Sequence, residues 1–201
     1  MVEQSKWVEI TTADPEHSSR YIERFRAMVA AGDDIEGEAR FVDAVAPRGG
    51  RILDAGCGPG RVGGRLHRSG HVVVGVDVDP VLIAAAKLDH PGPTWLVGDL
   101  AELDLPSRGI VDPFDVIVCA GNVMAFLAPS TRRQVLANLG DHLAVDGRLV
   151  VGFGSGRGYP FEEYRTDVAG AGLVIDLELA TWHLHPFHPD ADFHVTVLRR
   201  P

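Results

Sequence analysis

A glycine-rich stretch at residues 52–63, ILDAGCGPGRVG, has residue types and a spacing that suggest ligand binding. Gly56, Gly58 and Gly60 alternate with other residues, and Asp54 precedes them at the end of a short apolar run. Glycine lets the backbone turn tightly and approach a ligand without a clash at Cβ. The stretch therefore predicts a loop that holds a ligand against its backbone, with a carboxylate beside it.

Two further acids each follow an apolar run downstream of this loop. Asp77 ends VVVGVD at 72–77, and Asp99 follows TWLVG at 94–98. The two oxygens of one carboxylate can accept hydrogen bonds from a pair of neighbouring hydroxyls or from an amino group. Asp77 stands where a dinucleotide fingerprint places its ribose-binding acid, whereas Asp54, at the end of the first strand, would repel a pyrophosphate.

Two phosphate-binding loops are the first alternatives for the glycines. A P-loop is disfavoured because no Gly-Lys-Ser/Thr follows. Gly58, Gly60 and Gly63 do match the dinucleotide pattern G-x-G-x-x-G. In that pattern the first glycine closes the strand, which here would be Gly56, and the third glycine position then falls on Arg61. An NAD(P)-dependent oxidoreductase is therefore kept as the alternative function.

The rest of the chain alternates short apolar runs with helical patterns. Near-continuous apolar runs are typical of parallel strands buried on both faces. We predict strands at 51–55, 72–77, 94–98, 114–120 and 148–153, and helices at 61–69, 80–88, 130–143 and 160–171. Ser130 is the predicted N-cap of the third of these helices, and Asp146-Gly147 a turn after it.

Both ends of the chain depart from this alternation. Residues 173–184 and 192–200 are predicted as two strands of an antiparallel hairpin. The first forty residues are predicted as helices that stop at Gly32 and at Pro47. The predicted fold class is α/β, a doubly wound, mostly parallel seven-stranded sheet with an antiparallel C-terminal hairpin strand. We expect a single domain, with N-terminal helices at 1–46 as a candidate lid and the Rossmann-like domain at 47–201.

The loop Asp54-x-Gly56-x-Gly58-x-Gly60 resembles motif I of the class I S-adenosylmethionine-dependent methyltransferases, and the resemblance continues in order across residues 50–200. It implies that S-adenosyl-L-methionine (SAM) is the cofactor. Asp77 would hold both ribose hydroxyls and Asp99 the adenine amino group. The implied cofactor-binding residues are Asp54, Gly56, Cys57, Gly58, Gly60, Asp77, Val78, Asp99, Leu100, Ala120, Gly121 and, from the N-terminal helices, Tyr21.

The sequence identifies no catalytic residue, since methyl transfer needs only an aligned nucleophile. Asn122 after the fourth strand and Arg24 in the N-terminal helices are the candidate substrate-binding residues. A loop-turn residue and an amphipathic packing helix are their respective alternatives. The Asn/Asp-Pro-Pro-aromatic sequence of amide and adenine-N6 methylating relatives is absent after this strand, which disfavours those acceptors.

Histidines are concentrated near the end of the chain, at His183, His185, His188 and His194. Positions 183 and 185 would share one face of a strand, which a metal site could use. Exposed histidines of a hairpin are the favoured interpretation, so no metal is expected. Cys57 and Cys119 form no CxxC pair, which favours reduced thiols.

Composition limits the partners. The 201 residues are 45% hydrophobic and carry a formal net charge of -9, which disfavours broad contact with nucleic acid. No apolar stretch is long enough to cross a membrane, and the first ten residues lack a secretory pattern, so we expect a cytoplasmic protein. We expect a methyltransferase acting on a small molecule, with the oligomeric state open. A non-catalytic SAM-binding module stays as a second alternative, since function depends on the acceptor site.

Overall fold

The computed structural model describes residues 2–201, so Met1 of the predicted N-terminal segment lies outside the described residues. The elements in chain order are α1 (Lys6–Ala13), α2 (His17–Ala31), α3 (Gly37–Val45), β1 (Arg51–Ala55), α4 (Arg61–Arg68), β2 (Val72–Asp77), α5 (Pro80–Asp89), β3 (Thr94–Val97), β4 (Phe114–Cys119), α6 (Val123–Phe126), α7 (Arg132–Asp141), β5 (Leu143–Gly154), α8 (Phe161–Gly170), β6 (Val174–Leu179) and β7 (Phe193–Arg199). Short 3₁₀ turns lie at Leu100–Glu102, Pro106–Arg108 and Pro129–Thr131.

The seven strands form one sheet in the order β3-β2-β1-β4-β5-β7-β6. Strands β1 to β5 pair in parallel, and β7 is antiparallel to both β5 and β6. This confirms the predicted fold class. The strand order reverses between β1 and β4, and open α/β sheets bind ligands outside the carboxyl ends of their strands at such a point.

The central strands are buried on both faces, as their apolar runs predict. Along β4, Ile117 belongs to the core on one side of the sheet and Val116 and Val118 to the core on the other, all with 1% exposure or less. Helices α7 and α8 contribute to the first core, and α3 and α4 to the second. Burying each such side chain stabilises the fold by roughly 1.5–3 kcal/mol.

Two local predictions around α7 are wrong. Ser130 is not the N-cap: Pro129 starts a 3₁₀ turn, α7 begins only at Arg132, and the Ser130 hydroxyl instead donates to a Glu3 carboxylate oxygen. Asp146-Gly147 is not a turn but part of β5. The register with β4 shifts at this point: Phe114 pairs with Leu143, but Val116 pairs with Arg148. Strand β5 therefore contains more residues here than the β4 segment opposite it, as at a β-bulge.

The N-terminal helices lie against the rest of the chain on α5. Helix α2 ends as predicted at Gly32, whose φ of 79° gives the left-handed C-cap that glycine adopts without strain. Ile22 of α2 packs with Leu82 and Ala85 of α5. Helix α1, which the sequence pattern did not separate from α2, is capped by Ser5, whose hydroxyl accepts from the Val8 N–H. These contacts place α1 and α2 beside the carboxyl end of β2.

Candidate active site

A cleft lies at the carboxyl ends of β1, β2 and β4, where the strand order reverses. Its empty volume is about 920 Å³, which includes the open mouth. The residues that line it are Ser5, Trp7, Tyr21, Phe25, Asp54, Gly56, Cys57, Gly58, Pro59, Arg61, Val62, Asp77, Val78, Leu82, Gly98, Asp99, Leu100, Ala120, Gly121, Val123, Phe126 and Leu127.

The glycine loop after β1 needs its glycines for two separate reasons. Gly56, Gly58 and Gly60 have φ values of 76°, 53° and 83°, a region that other residues adopt only with strain. A Cβ on Gly56 would also lie 2.3 Å from a methyl carbon of Val123. Gly60 does not line the cleft; it begins α4 and packs on Trp95 below the loop. Its role is therefore to turn the chain rather than to contact a ligand.

Asp54 lies at the base of the cleft with 2% of its surface exposed. One carboxylate oxygen accepts a hydrogen bond from the Gly63 N–H at 2.8 Å. Burial raises the pKa of this carboxyl to about 7, against the lowering effect of that hydrogen bond. Asp54 therefore holds the end of β1 to the first turn of α4.

Asp77 ends β2 at the edge of the same cleft. Its Oδ2 accepts from the Gly58 N–H at 2.8 Å and its Oδ1 accepts from the Asp79 N–H at 2.9 Å. Burial raises the pKa of Asp77 to about 6. Each oxygen keeps a further lone pair, so the carboxylate can still accept two hydroxyl hydrogens from a ligand.

The residues after β3 form the next wall. Asp99 caps the 3₁₀ turn at Leu100–Glu102, and its Oδ1 accepts from the Ala101 N–H at 2.9 Å. Leu100 is buried, and Val78 from the end of β2 is half-buried. All three predicted residues, Val78, Asp99 and Leu100, line the cleft. A carboxylate oxygen between two apolar side chains suits a flat ring that carries an amino group.

The segment after β4 differs from the sequence interpretation. Ala120 and Gly121 line the cleft, but Asn122 does not. Asn122 adopts a left-handed φ of 68°, and its side-chain oxygen accepts from the Gly154 N–H at 2.8 Å, which ties this loop to the end of β5. The geometry therefore favours the loop-turn alternative, and Val123, which follows, reaches the cleft instead.

Aromatic residues cover the cleft, and we call Trp7, Tyr21, Phe25 and Phe126 the aromatic roof. The Trp7 ring packs edge-on against the rings of Tyr21 and Phe126, with centroid separations of 5.1 and 5.6 Å. The Tyr21 and Phe25 rings pack in the same way, with their centroids 5.0 Å apart. Arg24 is exposed, and its guanidinium carbon lies 4.9 and 5.1 Å from the ring centroids of Tyr21 and Phe25; it does not line the cleft. Only Tyr21 of this roof was predicted. The i, i+4 spacing of Tyr21 and Phe25 was the available signal, and Trp7 had none.

Arg61 is the one Lys, Arg or His among the cleft-lining residues that the structure describes. Its guanidinium makes two hydrogen bonds to the Glu38 carboxylate, at 2.9 and 2.6 Å, and a third to the Ile35 carbonyl. The sequence drew attention to Arg61 only because it occupies the third glycine position of the dinucleotide pattern when that pattern is counted from Gly56. Because Glu38 neutralises it, this arginine offers no free positive charge to a pyrophosphate, whereas three carboxyls face the same cleft.

Known proteins show the family. A family model described as a methyltransferase domain matches residues 52–147. A TehB-like SAM-dependent methyltransferase from Corynebacterium glutamicum is 47% identical, with a TM-score of 0.88 over 94% of this chain and 100% of that one. The chain belongs to the SAM-dependent methyltransferases.

Two other relatives have more specific names. Magnesium-protoporphyrin O-methyltransferase from Rhodobacter capsulatus is 34% identical over 142 residues, 67% of this chain. The chain thus spans only 57% of the length of that curated relative. SAM-bound CalS10, an amino pentose methyltransferase from Micromonospora echinaspora, has a TM-score of 0.68 at 20% identity, over 88% of this chain and 96% of that one, and so shares the fold. The family predicted from the loop is confirmed, and these comparisons offer no support for an oxidoreductase.

The cofactor of this methyltransferase family is SAM, and the cleft-lining residues fit it. SAM carries hydroxyls, amino groups, a positive sulfonium and one carboxylate, and no phosphate. The cleft presents three carboxyls, and a glycine loop whose Gly56 has no room for a Cβ beside Val123. The donor set therefore matches the chemistry of SAM and not that of a dinucleotide.

The C-terminal histidines do not share a strand face in this methyltransferase. Strand β6 ends at Leu179, so His183 and His185 lie in the exposed connection to β7, and the predicted strand placement is wrong. His194 is buried, and its Nε2 lies 2.8 Å from a Glu178 oxygen. Burial lowers the pKa of His194. Within residues 2–201 no three His, Cys, Asp or Glu side chains are arranged to hold a metal.

Both cysteines of this methyltransferase are free and buried. Burial raises the pKa of the Cys57 thiol, and it raises that of Cys119 to about 12. Thiols with raised pKa values are poor nucleophiles, so neither residue is a candidate nucleophile. No helix within residues 2–201 is long and apolar enough to span a membrane.

Proposed function

We propose that this protein transfers a methyl group from SAM to a small-molecule acceptor within the cleft beneath the aromatic roof. The observation that carries the proposal is the charge of the cleft: three carboxyls line it at successive strand ends, and its one arginine is neutralised by Glu38. This arrangement favours a ligand that donates hydrogen bonds and carries positive charge.

Each wall of the cleft has a role in holding the donor. Asp77 accepts the two ribose hydroxyls, one at each oxygen, and Asp99 accepts the adenine amino group between Val78 and Leu100. The amino-acid end lies along the glycine loop, at Gly56, Cys57 and Gly58, with Asp54 below it. Ala120 and Gly121 complete this side, and Tyr21 covers it. Gly60 acts one step further away, by turning the loop.

The chain's contribution to the reaction is alignment and exclusion of water. SAM supplies an activated methyl group. The aromatic roof covers the cleft, and Val123 and Leu127 add apolar surface beside it. Such a setting removes water from an incoming nucleophile and holds it in line.

The acceptor must bring its own nucleophilic lone pair. Besides the donor-side acids and Arg61, the protonatable groups that line the cleft among residues 2–201 are Tyr21 and Cys57. Burial raises the pKa of the Tyr21 phenol, so it stays protonated near neutral pH and can donate a hydrogen bond. An acceptor that is nucleophilic without help from a protein base suits this site.

A small acceptor is supported by the covered cleft and by one relative. Aromatic side chains of α1, α2 and α6 line the cleft, and the 34% identical relative is by its name a magnesium-protoporphyrin O-methyltransferase. The net charge of -9 disfavours nucleic acid as the acceptor. Reduced, buried thiols fit the cytoplasm as the place of action. Of the N-terminal segment predicted at 1–46, helices α1 and α2 serve in this proposal as the cover of the Rossmann-like domain at 47–201, whereas α3 packs into the second core.

Calorimetric titration with S-adenosylhomocysteine (SAH) and with NAD tests the donor. We expect SAH to bind and NAD not to bind; binding of NAD without SAH would overturn the proposal. Transfer of radiolabelled methyl then tests the acceptor. The products are separated by size into a small-molecule fraction and a macromolecule fraction, and the label is measured in each. Label in the small-molecule fraction is expected, and label only in protein or nucleic acid contradicts a small acceptor. SAH binding with no transfer to any fraction would indicate the non-catalytic module.

A further inference from the structure

Asp79 is a buried carboxylate outside the predicted donor contacts, and its two oxygens serve different parts of the chain. Its Oδ1 accepts from the Val81 N–H at 2.8 Å and from the Leu82 N–H at 3.4 Å, which caps α5. Its Oδ2 accepts from the Trp7 indole N–H at 2.9 Å and from the Ser18 hydroxyl. Capping α5 accounts for the first oxygen only.

The second oxygen connects both N-terminal helices to the end of β2. Trp7 lies on α1 and Ser18 on α2, more than sixty residues from Asp79 along the chain. Asp79 is 6% exposed, and none of the ion pairs of residues 2–201 includes it. Its charge is therefore stabilised by hydrogen-bond donors, two of which come from the cover of the cleft.

The same residue adjoins the proposed ribose acid. The Asp79 N–H donates to Oδ1 of Asp77, and Oδ2 of Asp77 accepts from the Gly58 N–H. An unbroken series of hydrogen bonds thus runs from Trp7 through Asp79 and Asp77 to Gly58. The Trp7 ring and Gly58 both line the cleft. A donor bound there would therefore touch both ends of this series, the aromatic roof at Trp7 and the glycine loop at Gly58.

From this geometry we infer, on the basis of the proposed function, that Asp79 is a positioning residue that holds α1 and α2 over the donor site and thereby sets how long the bound donor stays. Release of the donor requires the roof to move away from the glycine loop. That movement separates Trp7 and Ser18 from the Asp79 carboxylate, and charge-assisted hydrogen bonds of this kind are about twice as strong as neutral ones. The two bonds therefore slow donor release.

Two variants separate this role from the capping of α5. Asp79→Ser keeps a good N-cap residue but is too short to reach both Trp7 and Ser18. Trp7→Phe keeps an aromatic ring in the roof and removes the indole N–H together with part of the bicyclic ring, and the control variant makes the same reduction in size elsewhere. Trp182→Phe is the matched control, because Trp182 packs against Gly152 and Phe41, away from the roof.

Release of tritiated SAH into an excess of unlabelled SAH is measured for each folded variant, with hydrogen exchange of residues 6–31 in the ligand-free protein. We expect release about tenfold faster in Trp7→Phe, which loses one of the two bonds, and faster still in Asp79→Ser, which loses both, with faster exchange in 6–31 in each and neither change in Trp182→Phe. In the double variant the two effects should add less than fully, since Asp79→Ser has already removed the bond that Trp7→Phe removes. Wild-type release and exchange in both single variants would overturn the inference, and if Asp79→Ser does not fold, Trp7→Phe decides alone.

Failure of SAH to bind the wild-type protein would count against the proposed function and not against Asp79. Hydrogen exchange then decides: faster exchange of residues 6–31 in the variants supports the attachment of the roof, and unchanged exchange contradicts it.

Discussion

The carboxylate of Asp77 accepts a hydrogen bond from the backbone N–H of Gly58 at 2.8 Å. The contact joins the end of β2 to the loop after β1, so the proposed ribose acid and the glycine loop hold each other in place. With the Asp79 N–H on its other oxygen, Asp77 is fixed by two backbone donors before a ligand binds. Such prior orientation lowers the entropy lost on binding.

Removing this carboxylate should weaken donor binding. We expect Asp77→Ala to reduce SAH affinity by on the order of 2–3 kcal/mol, through the loss of two charge-assisted hydrogen bonds. Asp115→Ala is the control, because Asp115 likewise accepts a backbone N–H, that of Arg51 at 2.8 Å, but at the opposite end of β1. Calorimetry should show a large loss in the first variant and none in the second. Wild-type affinity in Asp77→Ala would exclude it as the ribose acid.

The buried acids should make stability depend on pH. Burial raises the pKa of Asp54 to about 7 and that of Asp77 to about 6, above the ordinary 3.8. For each group, between pH 3.8 and its raised pKa, the folded state binds more protons than the unfolded state. Each group's contribution to stability therefore falls as pH rises through that window. Relative to Asp54→Asn, the wild-type protein should lose unfolding free energy from pH 4 up to about 7.

Asp77→Asn provides the graded comparison for this titration. The difference in unfolding free energy between Asp77→Asn and the wild-type protein should level off near pH 6, about one pH unit below the corresponding point for Asp54→Asn. Urea unfolding at several pH values measures both differences. A flat difference between the wild-type protein and Asp54→Asn across this range would show that Asp54 does not titrate there.

Gly56 should tolerate a side chain less well than Gly121, although both have positive φ values, of 76° and 69°. The left-handed backbone alone costs an alanine about 1–2 kcal/mol at either position. A Cβ on Gly56 also meets a Val123 methyl at 2.3 Å, whereas a Cβ on Gly121 meets no atom within 4 Å. We expect Gly56→Ala to cost roughly 1–3 kcal/mol more in denaturant unfolding.

Adding Val123→Ala should recover much of that extra cost, because it removes the methyls that the new Cβ would meet. Equal destabilisation by Gly56→Ala and Gly121→Ala would contradict the assigned clash.

Asn122 should matter for stability and not for donor affinity. Asn122→Ala removes the acceptor of the Gly154 N–H and places alanine at a φ of 68°, so we expect a loss of about 1–3 kcal/mol in thermal unfolding. Asn122→Asp keeps an acceptor oxygen and should retain most of that stability. A variant with intact stability but weakened SAH binding would contradict the assigned structural role of Asn122.

Local patterns in the sequence were sufficient to predict the sheet, and most of the predicted donor-site residues line the cleft. Apolar runs identify buried parallel strands because both faces of each strand are covered. Parallel strands end at the same edge, so residues that follow them, such as Asp54, Asp77 and Asp99, must come together. The glycines after β1 could also be recognised from the sequence, because a tight turn there needs positive φ values, which glycine adopts without strain.

Contacts between distant segments were decided only by the tertiary structure. The Asp79 carboxylate meets Trp7, Asn122 turns toward Gly154, and His194 pairs with Glu178, and none of these partners is marked by spacing along the chain. Each depends on how helices and loops pack once the sheet has formed, and packing is a property of three-dimensional neighbours rather than of a local period. The sequence alone thus determined the class of fold and the kind of donor, while packing determined how the cleft is covered.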